Sequence, residues 1–302
     1  MQDIVGHKKI ISFFDTVIHN EHLSHAYCFS GPEHVGKHAV ALSLAMRICG
    51  LDSVSHIASY PDIIQIHREI HEKTGGLKKD ISIEQVRSML SRLIQGSFYK
   101  DSYKVVIIDE AHVSSSAASN ALLKTLEETG KKTVIILISP HEDLLLPTIA
   151  SRCQHIHFSL VSPDDMTSLI DIDNEEQQEM LTYAAGRPGL LMTWLADNDA
   201  YIQYREYSDI FTTLFGKALY EKINILDPFF GNKKDHIRTR DNLHTMLDVW
   251  KFSLVKMFKQ KQNMLSVADI ITIEHDISHA QSLLKKNIHP RLLCEHILCM
   301  IP

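Results

Sequence analysis

The sequence lacks the features of a secreted, disulfide-bonded or membrane protein. Its five cysteines are scattered, and none of them forms a C-x-x-C pair, so they favour reduced thiols in a cytosolic protein over a disulfide framework. The chain has no run of about 18 apolar residues, the length that a membrane-spanning helix needs. The N-terminal stretch also has no long apolar core of the kind found in signal peptides. We therefore expect a cytoplasmic protein with no membrane partner.

A strong positive charge is absent too. The 302 residues carry a formal net charge of −6, whereas a protein that coats nucleic acid on its own is expected to be basic. A local basic face is still compatible with this balance. The length predicts two or three domains.

A strand, a glycine-rich loop and a helix follow one another near the N-terminus. The apolar run at 26–30 is followed by the letters GPEHVGKH and then by a helix-like run. Gly31, Gly36 and Lys37 fit the phosphate-binding pattern G-x-x-x-x-G-K-[ST] at every position except the last. Such a loop surrounds a phosphate with backbone N–H groups at a helix N-terminus, and the lysine adds a full charge. We predict a nucleotide-binding loop, with a chance glycine-rich turn as the alternative.

The hydroxyl that completes this pattern is missing. His38 stands where a serine or threonine would hold Mg²⁺. Imidazole is a softer ligand that suits Zn²⁺ or Cu²⁺ better. The loop is therefore predicted to be degenerate: it could still hold ATP or ADP with Mg²⁺, but it is poorly built for Mg²⁺-dependent hydrolysis.

Two acids form the expected second half of a nucleotide site. Asp109 and Glu110 end the apolar stretch that begins at Lys104. A carboxylate at a strand end can hold the water shell of Mg²⁺, and the next acid can orient an attacking water. An exposed acidic turn is the alternative. The letters DEAH at 109–112 also spell a helicase motif, but a helicase needs a second motor domain, and the helical tail leaves no room for one.

The order of predicted elements indicates an α/β domain followed by helices. About five apolar strands alternate with helices over the first 160 residues, which predicts a parallel sheet. After Val161 the strand signal disappears. We predict an α/β domain over 1–160, a small helical domain over 161–205 and a further helical domain over 206–302. The strands are predicted at 26–30, 62–67, 104–109, 133–139 and 155–158.

The residues near the C-terminus do not favour a metal site. His296 and Cys299 are three residues apart on a predicted helix, whereas Cys294 points away from both. Two ligands are too few for a structural zinc site, which takes four. We interpret these cysteines as small apolar residues packed in a helix interface.

Five sequence blocks together resemble one known family. The blocks are HAYCFSGPEHVGKHA, YKVVIIDEAH, SNALLKTLEE, LLLPTIASRCQ and AAGRPG. In order and spacing they are similar to the delta-prime subunits of the bacterial DNA polymerase III clamp loader, which belong to the AAA+ group. The resemblance covers about 25–190. It implies an AAA+ domain with a five-stranded parallel sheet, a small helical lid and an all-α C-terminal collar that holds a ring of subunits together.

The same resemblance implies a function and partners. A delta-prime-like subunit is commonly a poor or inactive ATPase, and it lends the arginine of its Ser-Arg-Cys block to a neighbour. That arginine is Arg152 here, an arginine finger acting in trans. The partners implied are the gamma/tau and delta subunits in a hetero-oligomeric ring, the sliding clamp, and primed DNA through the assembled complex. The chain would then be a non-hydrolysing part of the DNA polymerase III holoenzyme, a DNA-directed DNA polymerase (nucleotidyltransferase).

Two other functions compete with this one, and the chain also departs from the family pattern. An active gamma/tau-type ATPase is the main alternative; residue 38 and a measured ATPase distinguish it. A P-loop kinase or other phosphotransferase is disfavoured because no acceptor-site motif appears. Family members often carry a four-cysteine zinc module after the first helix, but only Cys49 remains in that region, so no zinc is expected.

Overall fold

The computed structural model describes the backbone of most of the chain and resolves it into two compact units, residues 1–195 and residues 196–302. Each is described by itself below. The described residues are 4–51, 60–71, 77–95, 97–99, 102–127, 130, 132–230, 236–259, 265–284 and 289–302.

The first unit is built on a five-stranded parallel sheet with the order β2-β3-β4-β1-β5. This confirms the predicted α/β fold class, and each strand lies within one or two residues of its predicted range. β1, β3 and most of β4 are buried along their length, as expected where helices cover both faces of a parallel sheet. The strands are β1 (Ala26–Ser30), β2 (Ile63–Ile66), β3 (Lys104–Ile108), β4 (Thr133–Ser139) and β5 (Gln154–His157).

Helices cover the two faces of the sheet in pairs. Alternate strand residues form two separate apolar clusters, because successive side chains of a strand point to opposite faces. One cluster contains Phe14 and Leu44, from α1 (Lys8–His19) and α2 (Lys37–Ile48). The other contains residues of α3 (Ile83–Ile94) and α4 (Ser116–Glu127).

Helix boundaries in this unit follow local sequence signals. Ser82 and Gln85 form a capping box that starts α3. Ala185 and Gly186 both have positive φ just after α7, where a left-handed residue commonly ends a helix. The remaining helices that begin in this unit are α5 (Pro147–Ala150), α6 (Pro163–Met166), α7 (Glu175–Ala184) and α8 (Pro188–Ala196).

The second unit is helical throughout its described residues. Trp250 lies at its centre, where its indole N–H donates to the Tyr207 carbonyl at 3.1 Å and its ring lies 5.2 Å from that of Phe211. No second parallel sheet occurs among the described residues of 196–302, which agrees with the argument against a helicase. The helices are α9 (Asn198–Thr213), α10 (Leu219–Leu226), α11 (His236–Lys259), α12 (Val267–Leu284) and α13 (Pro290–Met300).

The predicted division into three domains stays a prediction. The boundary between the two compact units falls at residues 195 and 196. Helix α9 runs across residue 205, where the second predicted domain would end.

Candidate functional site

The phosphate-type loop connects the carboxyl end of β1 to the N-terminus of α2. Its first glycine, Gly31, has a φ of +136° and donates its N–H to the Pro140 carbonyl just after β4, at 3.0 Å. Its last glycine, Gly36, has a φ of +102° and precedes the first turn of α2. Because Gly36 has no side chain to cap the helix, the N–H groups of that turn are available to an anion. The backbone of the loop therefore fits a phosphate.

The lysine of the loop is turned inward. Lys37 is only 7% exposed, and its ammonium donates to the carbonyls of Gly31 and Pro32, at 2.6 Å each. Burial lowers the pKa of Lys37, while the carboxylates of Glu33 and Asp109 oppose that shift. A phosphate that approached this loop would compete with the loop's own carbonyls for the lysine.

Two neighbouring segments also hold the loop. The Gly189 N–H, in the first turn of α8, donates to the His34 carbonyl at 2.8 Å. A Cβ at Gly189 would lie 2.9 Å from that oxygen, so only glycine allows so close an approach. On another side, the His7 ring lies 2.8 Å from the Val35 carbonyl. The sequence patterns did not predict these contacts.

His38 lies in the first turn of α2, at the position that the Mg²⁺ hydroxyl would occupy. Its side chain is half-buried, and its ring has no hydrogen-bond partner in the described part of the chain. The donor set therefore lacks the oxygen ligand that Mg²⁺ prefers at this point.

The two acids lie at the carboxyl end of β3, at the same sheet edge as the loop. One oxygen of Asp109 accepts the Glu110 N–H at 2.9 Å. The Glu110 carboxylate pairs with the Arg68 guanidinium through two hydrogen bonds, of 2.7 and 2.6 Å. This bidentate geometry is the strong form of an arginine–carboxylate pair. Glu110 is therefore held by its own chain, in a position where a catalytic acid would have to orient water.

The register of the sheet accounts for that ion pair. Ile66 of β2 pairs with Ile108 of β3, so continuing the register by two residues sets Arg68 opposite Glu110. Arg68 is a functional candidate that the sequence patterns missed. A charged residue directly after the predicted strand at 62–67 was the available signal, but only the strand register gives its partner.

Arg152 lies between α5 and β5. One guanidinium nitrogen donates to the Thr148 carbonyl at 2.9 Å, and another donates to Glu127 at 2.7 Å. The Arg152 side chain is 38% exposed. Glu127 belongs to the SNALLKTLEE block, but no role for it was predicted. The final glutamate of that block, Glu128, lies outside the described residues.

The structure brings the loop and the two acids together, but it does not bring Arg152 to them. Tyr27 of β1 pairs with Gln154 of β5 in parallel. Arg152 precedes β5 and so lies at the amino edge of the sheet, whereas Gly31 follows β1 at the carboxyl edge. Four residues along β1 separate Tyr27 from Gly31, or about 13 Å at 3.3 Å per residue, and Arg152 lies in the turn before β5.

The described residues contain neither a metal-binding cluster nor a membrane-spanning helix. Within the described ranges, no group of three or more His, Cys, Asp or Glu side chains is arranged to hold a metal ion. The expectation of no zinc stays a prediction. None of the helices described has both the length and the hydropathy needed to cross a bilayer. All five cysteines are free, and burial raises the pKa of the Cys294 thiol to about 12.

The chain is similar to several proteins of known identity. A DNA polymerase III subunit delta' of Pseudomonas aeruginosa is 34% identical over 143 residues, which are 43% of this chain and 42% of that protein. A DNA polymerase III subunit gamma/tau of Mycobacterium bovis is 30% identical over 186 residues, which are 56% of this chain and 30% of that protein. The chain spans less than half the length of either relative.

The fold has a counterpart among solved structures. A DNA polymerase III gamma subunit-related protein of Thermotoga maritima superimposes with a TM-score of 0.57 over 95% of this chain and 97% of that one. Its sequence identity is 17%, so this likeness concerns the fold alone.

The family follows from the sequence match. The sequence model of the family described as "DNA polymerase III, delta subunit" matches residues 6–162. That range is just over half of the chain, and it contains the phosphate-type loop, the two acids and Arg152. The chain therefore belongs to the DNA polymerase III delta-subunit family.

Proposed function

We propose that this protein is a delta-prime-like, non-hydrolysing subunit of the DNA polymerase III clamp loader. It would sit in a hetero-oligomeric ring in the cytoplasm, support ATP-driven loading of the sliding clamp onto primed DNA, and supply Arg152 to ATP bound by the adjacent subunit. The observation that carries this proposal is the position of Arg152 at the sheet edge opposite the chain's own phosphate-type loop.

The state of the chain's own loop supports the non-hydrolysing part. Lys37 donates to two loop carbonyls, His38 replaces the Mg²⁺ hydroxyl, and Glu110 is paired with Arg68. Hydrolysis would need all three groups to serve the nucleotide, and phosphoryl transfer depends on such positioned charges. The backbone can still accept a phosphate, so weak binding of ATP or ADP is compatible with the proposal.

The chemistry of Arg152 supports the trans-acting part. A guanidinium keeps its charge and presents a rigid fork of donors that matches phosphate oxygens. Its ion pair with Glu127 lies at the surface, and such pairs contribute only about 0–1 kcal/mol. A neighbouring γ-phosphate, with its greater charge, could displace Glu127. The place of Arg152 before β5, at the sheet edge opposite Gly31, argues against Arg152 serving its own loop.

The partners follow from the proposed assembly. The gamma/tau and delta subunits would be ring neighbours, and the helices of residues 206–302 would form the collar. The sliding clamp and primed DNA would be engaged by the assembled ring. The chain itself would catalyse nothing, although the holoenzyme that contains it is a DNA-directed DNA polymerase.

An active gamma/tau-type ATPase is the second candidate. It is favoured by the presence of Gly31, Gly36, Lys37, Asp109 and Glu110 at the expected positions, and by the length of the match to gamma/tau proteins. In that case His38 would be tolerated, and both Lys37 and Glu110 would reorient when nucleotide binds.

The isolated chain separates the two candidates. We expect ATP hydrolysis at the background rate, with no difference between the wild type and Lys37→Ala, because the acid and the lysine are engaged elsewhere. A Mg²⁺-dependent rate well above background that is lost in Lys37→Ala would establish the ATPase instead. Co-purification with gamma/tau and delta subunits tests membership of the ring: failure to assemble would refute the proposed function as a whole.

A further inference from the structure

A groove of about 680 Å³ lies between α3 and α4. Ile83, Leu90 and Ile94 of α3 line one wall at helical intervals, so they share one face of that helix. Ala117 and Ala121 of α4 lie one turn apart on the other wall. Because alanine side chains are small, the α4 side leaves space that larger side chains would fill.

The groove keeps apolar surface in contact with water. Ile94 is 86% exposed, and Leu90 and Leu93 are only partly buried although both pack against the core cluster beneath them. Helix α3 has 12 residues, which at 1.5 Å each extend about 18 Å. This length accommodates about three turns of a helix lying along the groove.

Each wall also carries a positive charge. Arg87 of α3 and Lys124 of α4 both line the groove and are exposed. Neither has an ion pair or a hydrogen bond from its side chain to another described residue, and no carboxylate is among the described residues that line the groove. An occupant with apolar and acidic side chains would complement both features.

We propose that the α3–α4 groove binds a short amphipathic helix of another protein, with its apolar side chains in the groove and carboxylates facing Arg87 and Lys124. Helix-in-groove recognition uses apolar side chains at i, i+3, i+4 and i+7 as anchors, and the opposed charges fix their register. The proposal does not depend on the proposed function, because the groove uses neither the phosphate-type loop nor Arg152.

A nucleic acid is the competing occupant. Its phosphates would satisfy Arg87 and Lys124 but would leave the leucine and isoleucine side chains exposed to water. Its binding would also fall steeply with salt, since each phosphate contact releases counterions. The walls of the groove therefore favour a peptide over DNA.

The test uses the full chain and synthetic probes. The first probe is a fluorescein-labelled helical peptide of about four turns, with leucines at i, i+3, i+4 and i+7 and glutamates flanking them. A second peptide carries lysine in place of each glutamate, and the third probe is a labelled single-stranded DNA. Fluorescence anisotropy measures binding of each probe to the wild type and to the variants.

We expect the acidic peptide to bind and the double variant Arg87→Glu/Lys124→Glu to weaken it by at least about tenfold. The same variant should bind the lysine peptide better than the wild type does. Ala121→Trp, which fills the groove, should weaken the binding of both peptides. Lys9→Glu, on the exposed surface of α1, makes half of that charge change elsewhere and should leave binding unchanged.

Three outcomes would overturn the proposal: no binding of the acidic peptide, binding that none of the groove variants alters, or binding of DNA alone with loss in the double variant. If Ala121→Trp fails to fold, as judged by circular dichroism, the binding of the lysine peptide to the double variant still tests the proposal.

Discussion

Lys37 and Arg152 are two cations of one α/β domain in opposite situations. Lys37 is buried and donates to carbonyls of its own loop. Arg152 is at the surface and is held by a single carboxylate and a single carbonyl. A buried cation with short hydrogen bonds contributes to the fold, whereas an exposed one with a weak ion pair can exchange its partner at low cost. The domain thus directs one charge inward and leaves the other at the surface.

Among the variants that test this difference between Lys37 and Arg152, Arg152→Ala should have the largest effect. In the assembled ring, we expect hydrolysis at the one neighbouring site to fall about 10³–10⁵-fold, as for arginine fingers elsewhere, and clamp loading to be impaired. The total ATPase rate should fall less, since other sites remain. DNA-stimulated ATPase and loading are measured after assembly has been confirmed by size.

The matched control is Arg47→Ala. Arg47 also pairs with a carboxylate, Asp15, and its side chain is 31% exposed. Wild-type rates for Arg152→Ala would contradict the trans-acting role. Loss of assembly in that variant would mean that Arg152 is first an interface residue.

Lys37→Met tests whether the buried ammonium of Lys37 stabilises the fold. We expect the free energy of unfolding to fall by about 2 kcal/mol, since hydrogen bonds to a charged group contribute about 1.5–3 kcal/mol each and desolvation offsets part of that. Urea denaturation measures the change. Lys9→Met, an exposed lysine on α1, should change stability by less than about 0.5 kcal/mol. A Lys37→Met variant that is more stable than the wild type would show that the buried charge of Lys37 destabilises the fold.

His38→Ser should restore the Mg²⁺ ligand that the phosphate-type loop lacks. A serine hydroxyl can bind Mg²⁺, so we expect Mg²⁺-dependent ATP affinity to rise about tenfold, a gain of about 1.4 kcal/mol. Hydrolysis should stay at background because Glu110 remains paired with Arg68. His38→Ala removes the imidazole without adding an oxygen, so an equal gain in that variant would exclude coordination as the cause.

Glu127→Gln should have the smallest effect. It removes the charge that holds Arg152 in its own chain, and a surface pair of this kind contributes at most about 1 kcal/mol to stability. Ring ATPase should stay within about twofold of wild type. A loss as large as that of Arg152→Ala would show that Glu127 positions the arginine rather than merely neutralising it.

Much of the fold was predictable because its signals are local. The five strands are continuous apolar runs, and the start of α3 follows from a capping box of two polar residues. Helix α9 has a weak sequence signal, because its buried face consists largely of Tyr201, Tyr204 and Tyr207. Tyrosine carries a hydroxyl, so an aromatic face of this kind gives a weak apolar pattern.

The residues of the site were predictable from the sequence, whereas the contacts that these residues make were less so. Gly31, Lys37, Asp109 and Glu110 lie at the edge that the pattern of a parallel sheet predicts. The ion pair of Arg68 depends on strand register, and the inward turn of Lys37 depends on the loop conformation. Neither leaves a pattern in the local sequence, since both contacts join groups that are brought together only by folding.

The surroundings of Gly31 require a glycine for a reason that is independent of nucleotide binding. A Cβ there would lie 2.2 Å from the Phe158 carbonyl oxygen, just after β5. The Phe158 N–H in turn donates to the Ser30 carbonyl at 2.7 Å, so the neighbouring backbone is fixed. Any larger residue is excluded at this position whether or not a nucleotide is present. A descendant of this protein that had lost all affinity for phosphate would still need glycine here, and a search for the motif would still count it as a nucleotide-binding residue.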